Sequence, residues 1–434
     1  MLAIFVSTIV GFILQPIPMG AVAILSIVVA GFLKLGKLPE LLSGFSNTTI
    51  WLIVAAYMLS RGFTKTGLGQ RVAYILIEKL GKNTLALGYA IMAGEFVFCP
   101  ATPSSAARGG AIFFPIVRSL ALAFDSKPGP TAKRIGAYLM QVAFQSNCMS
   151  GALFLTAMVA NPLSAAFAQQ AFGIQVTWAN WAIAALVPGT LAMLAIPLVM
   201  FYINPPEIKV TPQAQEFARA HLEQLGPMKR EEIIMAAVFV ISIALWATSQ
   251  FTGFDATLIA LAGAAILLVT QAMSWTDVLE EKGAWDTMVW IGTLVSLTGL
   301  LSKYGFISWI SNGIGGMIVG VPWMTALVIV LLFYFYSHYF FASLTAHTTA
   351  LYPVLIAVAA GAGAPPMLVA LSMGFMGNFS SCLTHYGNGV GPVYFGTGYV
   401  NQGAWWRIGF IMSLVYIAIW LGIGFPWFKI IGLW

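Results

Sequence analysis

The stretch "CPATPSSAARGGAIFFPIV", Cys99–Val117, decides how this chain is read. It sets one arginine, Arg108, in an otherwise uncharged and largely apolar run that prolines and glycines interrupt. A guanidinium stays ionised in any protein, and placing one in lipid is costly even on the gentler scales. Arg108 therefore demands a negative partner. Irregular backbone at membrane depth survives only where it lines a cavity or packs against protein. Both facts mark the stretch as part of an internal site.

The surroundings place it in a membrane. The chain has 434 residues, of which 59% are hydrophobic and 8% charged, with mean hydropathy +0.88. Soluble proteins carry about a quarter charged residues, so this is an all-α polytopic membrane protein. Ala21–Phe32, Ile50–Leu59, Ile233–Trp246 and Trp406–Phe425 are its clearest apolar runs. At roughly 20 residues per crossing, about eleven transmembrane helices are expected, plus segments too broken to cross simply. Met1 onward lacks a cleavable signal pattern and reads as the start of the first span.

Net charge is +6 and most of that basicity is topogenic. Lys and Arg crowd Arg61–Lys82, Arg118–Arg134 and Lys209–Arg230, which the positive-inside rule makes cytoplasmic. Nucleic-acid binding has no support. Cys99, Cys148 and Cys382 lie in apolar surroundings without metal-ligand spacing, so neither a metal nor another cofactor is expected.

Residues 205–232 form the one long polar stretch, a linker with a short amphipathic helix, and it cuts the chain into repeats 1–204 and 233–434. "GFSNTTIW" (Gly44–Trp51) matches "GAWDTMVW" (Gly283–Trp290) 239 positions later. The same offset lays "SSAARGGAIFFP" (Ser104–Pro115) over "SLTAHTTALYP" (Ser343–Pro353), with Arg108 opposite His347. "SNCMSG" (Ser146–Gly151) pairs with "SSCLTH" (Ser380–His385) at an offset of 234. Two inverted repeats are the expectation.

Matched, Gly/Pro-interrupted segments in two halves are the sequence sign of a transporter site near the bilayer midplane. Each Ser-x-small-Ala turn can cap the helix that follows, and a helix N-terminus favours an anion. Two such ends with Arg108 and His347 suit a ligand bearing two negative groups. Against this, Ser104 or Thr349 alone would mean helix packing, and His338 a satisfied core residue. Arg108 could instead form a buried ion pair with Glu95, a reading ranked second because His347 recurs at the equivalent place. His385 is ambiguous.

These residues, together with "YSHYFFASLTAHTTALYPV", "FLTAMVANPL" and "LTHYGNGVGPVYFGTGYV", resemble the divalent anion:sodium symporter superfamily, the INDY-type carriers. The resemblance is strongest to its exchanger branch of bacterial citrate/succinate/tartrate antiporters and plastid 2-oxoglutarate/malate translocators. It implies a homodimer working as an elevator, with two re-entrant hairpins facing two broken helices. Scaffold parts would be about 1–90 and 233–330, transport parts about 91–204 and 331–434. The family's Ser-Asn-Thr tips fall on Ser104-Ser105-Ala106 and Ser343-Leu344-Thr345, and the breaks near Ser146–Gly151 and Ser380–Gly387. Neither tip keeps the asparagine, which weakens both sodium sites; fixed positive charge would replace the mobile cation.

The expected activity is sodium-independent exchange of C4–C5 dicarboxylates (succinate, malate, fumarate, 2-oxoglutarate, with citrate at the limit) across a bacterial inner membrane. Ser104, Ser105, Arg108, Asn147, Ser343, Thr345, His347 and Thr384 are the expected ligand contacts. An empty carrier would expose Arg108 unpaired and stall. The alternatives are a sodium- or proton-coupled symporter, an anion channel, and an intramembrane hydrolase built on Ser343 and His347. The hydrolase lacks a GxSxG or equivalent and is set aside, so no enzyme is expected.

Overall fold

The computed structural model describes residues 1–305, 309 and 321–434; the rest of the expected second scaffold part, 306–308 and 310–320, lies outside the described residues. Among the described residues the fold is all-helical, and eight helices are long and apolar enough to cross a membrane. Four of these are the arms of two hairpins.

The first hairpin begins where Asn83 accepts a hydrogen bond from the Ala86 amide, 2.9 Å, and caps the helix Thr84–Phe98. Pro100 tightens the end into a 3-10 turn, Cys99–Ala101. Thr102 is extended, and the chain then returns through Ala106–Phe113 and Phe114–Ala123. Ala106–Phe113 is wound as a π-helix. Its wider turn absorbs the hydrogen bond that Pro115 cannot donate.

The second hairpin repeats the plan 239 positions on. Trp323–Ser337 ends in a 3-10 turn, His338–Phe340, and Phe341 is extended. Leu344–Gly361 returns, with Pro353 inside it. The expected caps form at both tips. Ser104 Oγ accepts from the Ala107 amide at 3.2 Å, and Ser343 Oγ from the Ala346 amide at 3.3 Å.

Two interrupted helices run between the hairpins. The first differs from expectation. Gly136–Leu153 is unbroken, with all its residues buried, and passes straight through Ser146–Gly151. Its break is Phe154–Val159, before Ala160–Phe172. The polar cluster misleads because two of its side chains find acceptors within the helix bundle: Ser150 donates to the Asn147 carbonyl, 3.2 Å, and Asn147 to Glu95, 3.1 Å. The second break fits better. Pro366–Phe379 gives way to a 3-10 turn, Ser380–Leu383, and a loop that reaches Gly391–Phe395. The two loops share one succession of turns and bends at a spacing of 230 positions.

In the first half, Gly44 packs where a Cβ would lie 1.9 Å from the Gly292 carbonyl, and its amide donates to Ser296 Oγ, 2.8 Å. The halves thus cross backbone to backbone. The linker is a strap: its helix Pro212–Leu225 buries Ala214 and Ala218. Its Glu207, Ile208 and Thr211 amides donate to the carbonyls of Lys133, Arg134 and Lys82. Two of the basic connections are thereby drawn to one end of the molecule. Arg71 joins the third, donating to Glu232 at 2.8 Å and to the Gly226 carbonyl at 2.8 Å. Nearby, Arg61 and Lys65 pair with Asp277 across the halves. Burial pushes that carboxyl up, but hydrogen bonds from Lys65 and Ser274 prevail and hold it at about 2. Because Arg71 and Glu232 are both buried, Arg71→Ala should cost about 3–5 kcal/mol, read as an earlier denaturation midpoint in detergent.

Candidate binding site at the hairpin tips

Arg108 is fully buried, and its partner is Glu95. Nε donates to the Glu95 carboxylate at 2.7 Å. Nη1 donates to the Thr102 and Ala157 carbonyls at 2.8 and 3.3 Å. Nη2 donates to Ser150 Oγ at 3.0 Å and the Asn147 carbonyl at 3.4 Å. A guanidinium has five N–H donors, and six oxygens surround them, the sixth being Thr102 Oγ1 at 3.4 Å from Nη1. The hairpin geometry explains the pairing. Glu95 stands seven residues before Thr102 and Arg108 six after it, so the returning arm brings the two level. The empty protein therefore does not carry Arg108 as an unpaired charge, which corrects that part of the expected mechanism.

The second hairpin makes the same pairing with two rings. Tyr334 and His347, each 239 positions beyond Glu95 and Arg108, stack at 4.4 Å and 13°. His347 Nε2 meets Ser337 Oγ at 2.9 Å. That hydroxyl already donates to the Tyr334 carbonyl, so Nε2 is the donor. His347 does not face Ser343, and the Ser–His pairing a hydrolase needs is not formed. His338 Nε2 bonds the Gly387 carbonyl at 2.8 Å.

Each hairpin is clamped to the break of its own half by matching bonds. Thr156 donates to the Pro100 carbonyl, and Tyr386 to the Tyr339 carbonyl at 2.9 Å. Each tip then touches the break of the other half. Leu344 packs with Met158 and Ala160. Tyr394 donates to the Gly109 carbonyl at 3.0 Å. Gly109 also lies close to that break, since a Cβ there would lie 3.0 Å from Val390 Cγ2, as well as 2.7 Å from Asn147 Nδ2. The four elements thus meet around the tips.

Of the expected contacts, Ser104, Ser343 and Thr345 are half-buried at the tips, and Ser105 is buried beside Ser104. Asn147 is buried in the unbroken helix, donating to Glu95 and to the Ser105 carbonyl at 3.3 Å. Thr384 is buried at the second break, and its Oγ1 has no partner among the described residues. Sequence reasoning missed the asparagines that brace the breaks. Asn378 donates to Asn161 Oδ1. Asn388 Oδ1 accepts from the Val390 and Gly391 amides at 3.1 and 2.9 Å. The Asn-Pro and Gly-Pro steps at Asn161 and Gly391, 230 positions apart, were the available signal. Among the described residues no three His, Cys, Asp or Glu side chains cluster as metal ligands.

Paired hairpins meeting paired helix breaks inside a bundle of apolar spans define a multi-pass membrane transporter, not an enzyme. Over residues 1–434 the chain matches the family described as "Sodium:sulfate symporter transmembrane region", and it belongs to that family. It is 47% identical over 433 residues to the "Putative malate transporter YflS" of Bacillus subtilis, covering 100% of this chain and 91% of that one. It is 42% identical to "Dicarboxylate transporter 1, chloroplastic" of Spinacia oleracea, over 100% of this chain and 77% of that protein. "Inner membrane protein YbhI" of Escherichia coli is 36% identical, over 99% and 92%. The fold is shared with the crystal structure of the Alcanivorax borkumensis YdaH transporter (TM-score 0.55, 13% identity, 89% and 88% covered).

Proposed function

We propose that the protein exchanges one C4–C5 dicarboxylate for another, without sodium, across a bacterial inner membrane. Succinate, malate, fumarate and 2-oxoglutarate are the proposed substrates, with citrate at the upper limit of size. The names of the Bacillus and chloroplast relatives support the substrate class, and that of the Escherichia relative the membrane. The observation that carries sodium independence is the setting of Arg108. Oxygens from the hairpin (Thr102), its helix (Asn147, Ser150) and its break (Ala157) converge on a guanidinium. Such a set of oxygens would suit a mobile cation, and here a fixed one fills it.

Exchange then follows from helix ends rather than from a naked arginine. Each tip presents a helix N-terminus worth roughly +0.5 charge. Ser104, Ser105, Ser343 and Thr345 would meet the two carboxylates there, with Thr384 closing the cage. Arg108 and Asn147 hold the first tip in shape, and His347 the second. Empty, the ends would cross the low-dielectric part of their path without an anion; loaded, they would cross satisfied. The elevator movement, the homodimer and the division into scaffold and transport parts belong to the same reading.

Counterflow in proteoliposomes tests it. Labelled succinate should enter vesicles preloaded with malate at least tenfold faster than empty ones, with or without a sodium gradient. Equal uptake into empty vesicles on a sodium gradient would establish symport instead.

A further inference from the structure

We propose that Glu95 sets the charge of the cargo. This rests on reading the two tips as the anion site. The segments that meet there, 84–123, 136–172, 323–361 and 366–395, contain three charged side chains: Glu95, Arg108 and Arg118. Arg118 is exposed, far along the returning arm. Glu95 and Arg108 are both fully buried and hydrogen-bonded to each other. Their charges cancel, so the side chains contribute none to the site. The second hairpin has Tyr334 and His347 at the same level, in contact as rings. His347 spends its Nε2 on a hydroxyl, and its Nδ1 faces no acceptor among the described residues. What attracts an anion is then the pair of capped helix ends, roughly one positive charge together. That is a match for two carboxylates sharing the polar tips, and a poor one for three.

Glu95 is a positioning residue in this scheme, since it touches Arg108, Asn147 and Ser150. Its electrostatic effect should separate from its structural one. Glu95→Gln keeps an oxygen acceptor for Arg108 but leaves the site one unit more positive. Arg108→Gln leaves it one unit more negative. The double variant restores neutrality. A loss of structure alone would weaken all anions alike, whereas a charge effect reorders them.

The experiment measures equilibrium binding to the purified protein in detergent, by competition against labelled succinate, at one pH, for three acids, a readout that does not require exchange. Succinamate carries one negative charge, succinate two and tricarballylate three. The parent should prefer succinate. In Glu95→Gln the tricarballylate/succinate affinity ratio should rise about tenfold, the scale for a unit charge about 10 Å away at an effective dielectric of about 20. In Arg108→Gln the succinamate/succinate ratio should rise by a similar factor. The double variant should regain the parent's order. Unchanged ratios in both single variants, or shifts in the same direction, overturn the proposal. If neither single variant reaches the membrane, the double variant decides: insertion with succinate preference supports charge balance, and failure to insert overturns it. A parent that binds none of the acids would instead refute the reading of the tips as a dicarboxylate site.

Discussion

An Arg108→Met carrier should lose dicarboxylate exchange to background and fall in stability by about 3–5 kcal/mol. The loss has two parts. Glu95, with no exposure to solvent, is left an uncompensated charge in an apolar bundle. The carbonyls of Thr102, Ala157 and Asn147, which the guanidinium gathers, lose their donor. Those oxygens lie on three separate pieces of chain, so the first tip is no longer held against its break. Removing both charges should do less harm than removing one. A Glu95→Leu/Arg108→Met carrier avoids the buried lone charge, and buried pairs replaced by packed apolar side chains are often neutral in stability. Denaturation midpoints in detergent, measured beside counterflow, separate the two parts. The double variant should recover most of the stability but not the exchange, because the oxygens stay ungathered. A single variant as stable and active as the parent would show that the buried pair holds nothing together.

The same pair shows how far the sequence could be read. The hairpin tips were legible because Ser104 and Ser343 must cap helices in both halves, and the offset of 239 exposes that shared need. The second break was legible in outline, since "THYGNGVGP", Thr384–Pro392, is too rich in glycine to stay helical. The first break was not. Ser146–Gly151 looks like a polar interruption, yet inside a fully buried helix Asn147 and Ser150 find partners in Glu95, in Arg108 and in a backbone carbonyl. Composition alone does not separate a polar residue that breaks a helix from one that serves a partner across the bundle. The partner of Arg108 was hidden for a related reason. A separation of thirteen residues means little along a chain, and becomes contact only once the turn is fixed at Thr102–Ser104. With that turn placed, Glu95 and Arg108 lie seven and six residues either side of Thr102, as Tyr334 and His347 do about Phe341.

A neutral pair beside the site also changes what voltage should do, and the effect is large. Moving one elementary charge through 100 mV is worth about 2.3 kcal/mol. If the protein's own side chains carry no net charge across, a dianion crossing alone moves two, about 4.6 kcal/mol. That is about three powers of ten in the accumulation ratio. Exchange of dianion for dianion moves no net charge and should ignore the potential at equilibrium. In vesicles clamped about 100 mV inside-negative with potassium and valinomycin, labelled succinate should equilibrate with internal succinate as it does at zero potential. Net uptake into empty vesicles should settle about a thousandfold below the external concentration. On the proposed reading Arg108 fills the oxygen cage at the first tip and takes the place of a mobile cation there. Adding a sodium gradient should therefore change neither result. Net accumulation of succinate against the potential when sodium is present, and only then, would mean that a mobile cation still binds elsewhere in the protein, and exchange would no longer be needed to explain uptake.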